Sequence, residues 1–181
     1  ARFDAIELLA EVRSALPFFA RSHEDIDRHP GVAIHVADAR SYVAHARAAR
    51  RRYDLVLGEL FHAMQAGTGA LYAREHFAAV RELVSPSGVY VQWVPLHETP
   101  PDEVRTVVRT FFGVFPHGGA WLGGWAMRSP LLGLVGAHQP LKLDAARARE
   151  RLLASDAHRA HRARQAELDR WPEALATWLG D

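Results

Sequence analysis

The sequence predicts a mixed α/β domain with a mostly parallel sheet, an antiparallel hairpin near its end and a helical tail. Three observations support this fold class. Strand-like and helix-like segments alternate as far as residue 112, which is typical of βαβ units. Two short apolar runs separated by a glycine-rich turn then follow, and residues 143–179 are charged and helical in composition.

The elements of the parallel part are predicted from short apolar runs and from helical composition. Turn residues at 85–88 separate the third helix from the fourth strand. The predicted strands are residues 3–6, 32–36, 53–57 and 88–94, and the predicted helices are residues 8–20, 41–51, 71–84 and 100–112.

The last third of the chain is predicted to hold the hairpin and the tail. The hairpin strands are residues 119–122 and 131–135. The helical tail is interrupted at Trp171-Pro172, since a proline disfavours helix at the residue before it. We therefore predict one α/β domain over residues 1–140 and a helical extension over residues 141–181.

Composition restricts the function classes. Of 181 residues, 49% are hydrophobic, which is enough for one sizeable core, and the formal net charge is only +1. No global field therefore attracts nucleic acid or anionic lipid. The chain has no cysteine, which excludes disulfides and thiolate zinc sites. No run approaches the roughly 18 apolar residues of a membrane span, so we expect a cytoplasmic domain.

Three acidic residues follow predicted strands: Glu7, Asp38 and Glu59. In doubly wound sheets, ligands bind at the carboxyl ends of the strands. A carboxylate there can accept hydrogen bonds from both ribose hydroxyls, and Asp38-Ala39 could hold an adenine amino group. The alternative interpretation is that these acids are ordinary loop or helix-capping residues.

Histidines, arginines and tryptophans elsewhere give weaker signals. None of the histidines is part of a recognised metal motif, so no metal site is predicted. The basic stretch 159–164 is more typical of a solvated helix face than of a phosphate site. The tryptophans show no spacing that indicates a stacking platform, and core or tail packing is the favoured interpretation. The histidines considered are His62, His97, His117, His158 and His161.

Several segments together resemble the spermidine synthase (aminopropyltransferase) family, whose domain has the class I methyltransferase-like Rossmann fold. The likeness covers residues 2–136 and is most specific over 53–93. It is closest to bacterial domains fused behind transporter-like membrane helices. The segments that carry it are Glu7-Leu8-Leu9 with Glu11-Val12, Asp38-Ala39-Arg40-Ser41-Tyr42, Tyr53 to Glu59, Gly67, Leu71 to Phe77, Gly88 to His97, and Phe115-Pro116-His117.

The resemblance implies transfer of an aminopropyl group from decarboxylated S-adenosylmethionine to a small amine. Glu59 would be the catalytic base, and His62, Tyr72 and Gln92 would bind the amine. The adenosyl co-substrate, which is not permanently bound, would be held by the residues Glu7, Asp38 and Ala39. No metal and no nucleic acid is implied, while a homodimer and membrane helices in a longer protein are left open.

The chain departs from the family pattern at two positions. Ordinary members have an aspartate at the position of Glu59 and a second aspartate three residues later, where this chain has His62. Losing that anion weakens attraction for a dicationic diamine. Two alternatives therefore stay open: an S-adenosylmethionine-dependent methyltransferase, and a non-catalytic domain of a larger membrane-associated protein.

A further departure concerns the start of the fold. The family's first strand and glycine-rich loop precede the ribose-binding glutamate by about 20 residues, whereas here that glutamate is Glu7. The resemblance also implies an N-terminal β-hairpin domain and residues that cover the amine, and we expect both to be missing from this sequence. We expect two unpaired strand edges, and weak or no binding of adenosyl ligands by this chain alone.

Overall fold

The computed structural model describes residues 2–59, 67–123, 130–142 and 144–154. The chain forms two compact units, Ala1–Arg51 and Arg52–Asp181. We call them the N-terminal unit and the C-terminal unit and describe each by itself. The division predicted at residues 140 and 141 is a different one and stays a prediction.

The N-terminal unit contains two parallel strands and three α-helices. Strand β1 pairs with strand β2 over their full lengths, with Phe3 opposite Val32 and Glu7 opposite Val36. Short 3-10 helices at Leu16–Phe19 and Ile26–Arg28 complete the unit. The elements are β1 (Phe3–Glu7), α1 (Ala10–Ala15), α2 (Ala20–His23), β2 (Val32–Val36) and α3 (Ala39–Ala48).

The helix predicted over residues 8–20 is not continuous. Helix α1 ends at Ala15, and a 3-10 helix with Pro17 in its first turn precedes α2. Proline has no backbone N–H to continue an α-helix, and its ring clashes with the preceding turn. After α2 the backbone of Glu24 and Asp25 is left-handed, with φ of 56° and 54°. The helical content was predicted correctly, but the single helix was wrong.

Burial in the N-terminal unit is slight. Ala46 of α3 is the one buried residue among its described positions. Many large apolar side chains are exposed instead, and Phe18 is the most exposed of them, at 88%. The others are Phe3, Ile6, Leu8, Leu9, Val12, Phe19, Ile26 and Val36. This unit therefore has little core of its own.

The C-terminal unit is built on a four-stranded sheet with the order β3-β4-β6-β5. Strands β3 and β4 are parallel, and β6 runs antiparallel to both β4 and β5. The predicted hairpin is therefore confirmed. Its elements are β3 (Tyr53–Gly58), a 3-10 helix (Thr68–Tyr72), α4 (Arg74–Arg81), β4 (Val84–Pro95), α5 (Pro101–Phe112), β5 (His117–Gly123), β6 (Leu131–Ala137) and α6 (Ala145–Ala154).

Strand β4 begins earlier than predicted. Helix α4 ends at Arg81, and the turn predicted over residues 85–88 lies inside the strand. Tyr53 pairs with Val84 but Leu55 pairs with Val89, so the register shifts between them. A Cβ at Gly88 would lie 2.9 Å from the backbone oxygens of Tyr53 and Asp54. Glycine therefore permits the irregular pairing, and tertiary pairing overrides the local turn preference.

An aromatic cluster forms the core of the C-terminal unit. Phe111 of α5 stacks on Tyr90 of β4 and on Phe115, with ring centroids 5.6 Å and 5.1 Å apart. Phe77 of α4 meets Phe111 edge to face at 5.3 Å. All four side chains are buried. Burying such side chains contributes about 1.5–3 kcal/mol each, and offset or edge-to-face pairs add to this.

The fold class is confirmed: parallel strands with intervening helices are followed by an antiparallel hairpin. Within the described ranges, β1 pairs only with β2, and β3 pairs on one edge only, with β4. Strand β3 therefore has an unpaired edge, and its Leu55 and Leu57 are more than half exposed. None of the helices that the structure describes has the length and apolar character needed to cross a bilayer.

Candidate functional site

In the N-terminal unit, Glu7 and Asp38 lie at the same end of the sheet. Glu7 ends β1, and Asp38 follows β2 by two residues. The two strands run parallel, and the Ala37 N–H donates to the Glu7 carbonyl at 2.9 Å. The structure therefore brings these two predicted nucleoside-binding acids to one carboxyl edge, where ligands of doubly wound sheets bind.

Both carboxylates already make local hydrogen bonds. Glu7 Oε1 accepts from the Leu9 N–H at 2.9 Å. Asp38 is the N-cap of α3, and its Oδ1 accepts from the Ser41 N–H at 3.0 Å. Asp38 therefore does cap a helix, as the alternative interpretation of these acids states. An ionised carboxylate has about four acceptor positions, so capping leaves acceptor capacity for a ligand hydroxyl.

Asp38 is held in its charged form. The hydrogen bond from the Ser41 backbone lowers the pKa of Asp38 below its ordinary value. The positive charge of Arg40, whose Nε lies 3.6 Å from Oδ1, lowers it further. Hydrogen bonds to the charged form and a nearby opposite charge both favour ionisation. Ala39, the first residue of α3, follows directly.

In the C-terminal unit, Glu59 is exposed and directly follows β3. The preceding residue, Gly58, pairs with Gln92 of β4. Gln92 is 2% exposed, and its Nε2 donates to the carbonyl oxygens of Gly58 at 3.2 Å and Trp93 at 3.0 Å. Its Oε1 accepts from the Tyr90 hydroxyl at 2.5 Å. Both donor hydrogens and the acceptor of this buried amide are therefore used within the protein.

Tyr72 joins the same set of hydrogen bonds. Its hydroxyl donates to the Trp93 carbonyl at 3.3 Å, the oxygen that also accepts from Gln92. Tyr72 is 6% exposed, and burial raises its pKa to about 12. The hydroxyl thus stays protonated at neutral pH. We call Tyr72, Tyr90, Gln92 and the carbonyls of Gly58 and Trp93 the Gln92 network.

The sequence did not predict three members of this network: Tyr90 and the carbonyl groups of Gly58 and Trp93. Burial raises the pKa of Tyr90, with a smaller contribution from Tyr72. A Cβ at Gly58 would contact Gln92 Oε1 and lie 2.8 Å from the Tyr90 hydroxyl. The signal that could have found Tyr90 is strand periodicity, because residues two apart share one face of a strand. For Gly58 the signal is a glycine that ends an apolar strand.

The remaining predicted residues fall into clear groups. His62 lies outside the described residues, as do His158, His161 and the basic stretch 159–164. Among the positions that the structure describes, no three His, Asp or Glu side chains are grouped to hold a metal ion. The N-terminal unit contains Glu7, Asp38 and Ala39. The C-terminal unit contains Tyr72, Gln92, Gly58 and Glu59. Their functional roles stay predictions.

Comparison with solved structures identifies similar folds. A spermidine synthase bound to the transition-state analogue AdoDATO has a TM-score of 0.64 and 16% identity, with 76% of this chain and 47% of that chain covered. Human methyltransferase-like protein 13 with SAH scores 0.61 at 18% identity, covering 82% and 67%. A probable spermidine synthase from Corynebacterium glutamicum scores 0.58 at 23% identity, covering 86% and 55%.

These similarities establish the fold. The C-terminal hairpin and the parallel strands match neighbours with the class I methyltransferase-like Rossmann fold, as predicted. The chain spans about half the length of the spermidine synthase structures that it matches. No protein-family model and no curated protein sequence matches the chain.

Proposed function

We propose that the protein is a transferase that uses an adenosyl sulfonium co-substrate, and that it transfers an aminopropyl group to a small amine. The observation that carries this proposal is the position of Glu59 at the carboxyl end of a parallel strand, beside the Gln92 network. In this fold class, ligands bind at that edge. The resemblance of residues 53–93 to aminopropyltransferases supports the choice of group transferred.

The proposed reaction needs a base. The nitrogen of a neutral amine attacks the propyl carbon of decarboxylated S-adenosylmethionine, a C–N bond forms, and the C–S bond breaks. The sulfonium loses its charge, and 5′-methylthioadenosine leaves. Before this attack the ammonium form of the amine gives one proton to Glu59, and the nitrogen of the product keeps its remaining protons and the positive charge. A free alkylamine is protonated at neutral pH, so a positioned carboxylate that accepts a proton promotes attack.

The other residues have distinct proposed roles. Glu7 would accept hydrogen bonds from the ribose hydroxyls, and Asp38 with Ala39 would hold the adenine. Tyr72 and His62 would contact the amine. Both donor hydrogens of the Gln92 amide and one acceptor position of its oxygen are used by protein partners. This supports a positioning role, in which Gln92 fixes the Gly58 carbonyl and so the direction in which Glu59 leaves β3. Its predicted contact with the amine stays a prediction.

A second candidate is transfer of a methyl group from S-adenosylmethionine. The similarity to human methyltransferase-like protein 13 supports it, because a larger share of both chains is covered there than in the spermidine synthase complex. The two reactions share the adenosyl site and differ in the group that the sulfonium donates. The two reactions can therefore be distinguished by their products but not by the fold of the protein.

The test supplies the full-length protein with decarboxylated S-adenosylmethionine or S-adenosylmethionine and a panel of amines, and identifies products by mass spectrometry. We expect an aminopropylated amine together with 5′-methylthioadenosine. Methylated product from S-adenosylmethionine alone would instead establish the second candidate. No product with either co-substrate contradicts both and favours a non-catalytic domain.

The role of Glu59 is tested by Glu59→Gln, with Glu103→Gln in the exposed first turn of α5 as the matched control. We expect Glu59→Gln to lower turnover by at least about 100-fold. Binding of 5′-methylthioadenosine, measured by calorimetry, should be nearly unchanged. Loss of turnover and nucleoside binding together would indicate a structural role for Glu59.

A further inference from the structure

The N-terminal unit contains an open cleft that the proposed function does not use. Its volume is about 560 Å³, within the range of small-molecule sites. Six polar or charged side chains line it, and we call it the basic cleft. They are Arg13, His35, Ser41, Tyr42, His45 and Arg51.

The basic cleft runs along the free edge of β2. The consecutive residues 34–37 all line it, although neighbouring side chains of a strand point to opposite faces. A cleft that touches all four must therefore follow the strand edge. Strand β1 occupies the other edge of β2. Arg13 of α1 and three residues of α3 also line the basic cleft. Ile34 and Val36 of β2 add apolar surface to it.

The charges around the basic cleft favour an anion. Two arginines and two histidines line it, and no acidic side chain is among the lining residues. The side chain of Asp4 is 2% exposed, with Oδ1 2.9 Å from His35 Nε2 and Oδ2 3.9 Å from an Arg51 nitrogen. A single carboxylate offsets one of the two arginines and leaves the cleft positive. Concave surfaces of one sign concentrate ligands of the opposite charge.

One wall of the cleft is held in place by contacts around Tyr42. Its hydroxyl accepts from Arg51 at 3.0 Å, and its ring centroid lies 4.9 Å from that of His35. His35 is in turn fixed by Asp4. Because these three contacts fix the side chains of Tyr42 and His35, a ligand ring can pack on them without first ordering them.

Unlike Tyr42 and His35, the side chains of Arg13 and His45 are not held by partners within the described part of the chain. Both are exposed, and neither makes a side-chain hydrogen bond or ion pair with any residue that the structure describes. A guanidinium donates charge-assisted hydrogen bonds to phosphate oxygens, and an imidazole N–H can donate to them as well. A dianionic phosphate gains more from several basic groups than a carboxylate does.

We propose that the basic cleft binds a small phosphorylated molecule with an apolar ring or chain. The phosphate accepts hydrogen bonds from the basic side chains, and the apolar part packs against the Tyr42 ring, on the face of β2 that carries His35. None of the residues proposed for group transfer lines this cleft. Binding in the basic cleft can therefore be tested without any turnover.

The test is a titration of the ¹⁵N-labelled protein followed by amide NMR signals. The probes are phenyl phosphate, inorganic phosphate and phenol, which separate the charge from the ring. We expect saturable shifts at Ala37, Ser41 and Tyr42 with phenyl phosphate. Inorganic phosphate should bind several-fold more weakly, and phenol should give no saturable shift. About 200 mM added salt should weaken binding, because exposed charges are screened.

Two variants test the basic side chains. Arg13→Gln and His45→Gln should each weaken phenyl phosphate binding about fivefold. The matched control is Arg21→Gln, an exposed arginine of α2 that does not line the cleft. It should bind like the unchanged protein. The amide spectra without ligand should otherwise superimpose, because these side chains are exposed.

Three results would overturn the proposal. The first is no saturable shift at phenyl phosphate concentrations up to about 10 mM. The second is equal weakening by Arg13→Gln and Arg21→Gln, which would indicate a general charge effect. The third is binding of an acidic extended hexapeptide without binding of phenyl phosphate. That result would assign the edge of β2 to strand addition.

Discussion

The two units of this chain contain similar local elements but are stabilised in different ways. Each contains parallel strands followed by helices. The C-terminal unit buries the aromatic cluster around Phe111, while in the N-terminal unit Ala46 is the one buried residue among the positions described. A similar succession of strands and helices therefore does not imply a similar core.

Polar contacts contribute a larger share of the stabilising interactions in the N-terminal unit than in the C-terminal unit. Asp4 binds His35, Asp38 caps α3, and Arg51 bonds to Tyr42. Each such hydrogen bond contributes only about 1 kcal/mol net, whereas a buried aromatic side chain contributes more. We infer that the N-terminal unit opens more readily, as ligand-binding elements often do.

The largest expected effect is on the core of the C-terminal unit. Phe111→Ala removes the ring on which Phe77, Tyr90 and Phe115 pack. It should lower the free energy of unfolding by about 3–5 kcal/mol, through lost burial and the cavity left behind. The measurement is urea unfolding followed by tryptophan fluorescence.

The matched change in the other unit is Phe18→Ala, at the most exposed phenylalanine. It should change the free energy of unfolding by less than about 0.5 kcal/mol. A cost similar to that of Phe111→Ala would mean that Phe18 is covered in solution. The proposed difference in burial between the two units would then be wrong.

A smaller effect is expected at Gly58. In Gly58→Ala, the new methyl group would contact Gln92 Oε1 and crowd the Tyr90 hydroxyl. Overpacking of this kind costs about 1–3 kcal/mol. The matched control is Gly69→Ala in the 3-10 helix Thr68–Tyr72, where a Cβ meets nothing within 4 Å. Unfolding in urea should separate the two variants clearly.

The cause of the Gly58 effect can be checked with a double variant. Adding Gln92→Ala removes the oxygen that the new methyl group contacts, so the two changes together should cost less than their sum. Such coupling is expected for residues in one hydrogen-bond network. Strictly additive costs would show that Gly58→Ala acts through the backbone and not through the Gln92 network.

Much of the fold could be predicted from the sequence. Strand β2 begins and ends at the predicted residues, because a short run rich in β-branched residues follows a turn. The start of β4 could not be predicted, because Ser85-Pro86-Ser87-Gly88 has strong turn preference by itself. Only its pairing with β3 keeps these residues in a strand, and that pairing is not visible locally.

The candidate site was partly predictable for a similar reason. Carboxylates after strands can be recognised because all parallel strands end at one edge, and the structure brings Glu7 and Asp38 together in this way. The hydrogen bonds of Gln92 could not be predicted. They depend on the register between β3 and β4, which sets Gly58 opposite Gln92, and on a glycine that leaves room for the amide.

Apart from the Phe18→Ala control, the smallest expected effect concerns the cap of α3 in the N-terminal unit. Asp38→Ala removes the acceptor for the Ser41 N–H, and loss of an N-cap costs about 1 kcal/mol. Amide hydrogen exchange of α3 should therefore become about fivefold faster at neutral pH. Asp38→Asn should lose less, since asparagine caps about as well but has no charge to complement the helix dipole.

The pH dependence of this effect identifies the charged form as the stabilising one. The folded state lowers the pKa of Asp38 below its ordinary value of 3.8. A carboxyl group with a lowered pKa stabilises the fold above its unfolded pKa, and this stabilisation is lost as pH falls through the folded pKa. After correction for intrinsic exchange rates, the advantage of the unchanged protein over Asp38→Asn should be constant near neutral pH and shrink below about pH 4. An advantage that does not shrink as the pH falls below about 4 would show that hydrogen bonding alone, without charge, stabilises this end of α3.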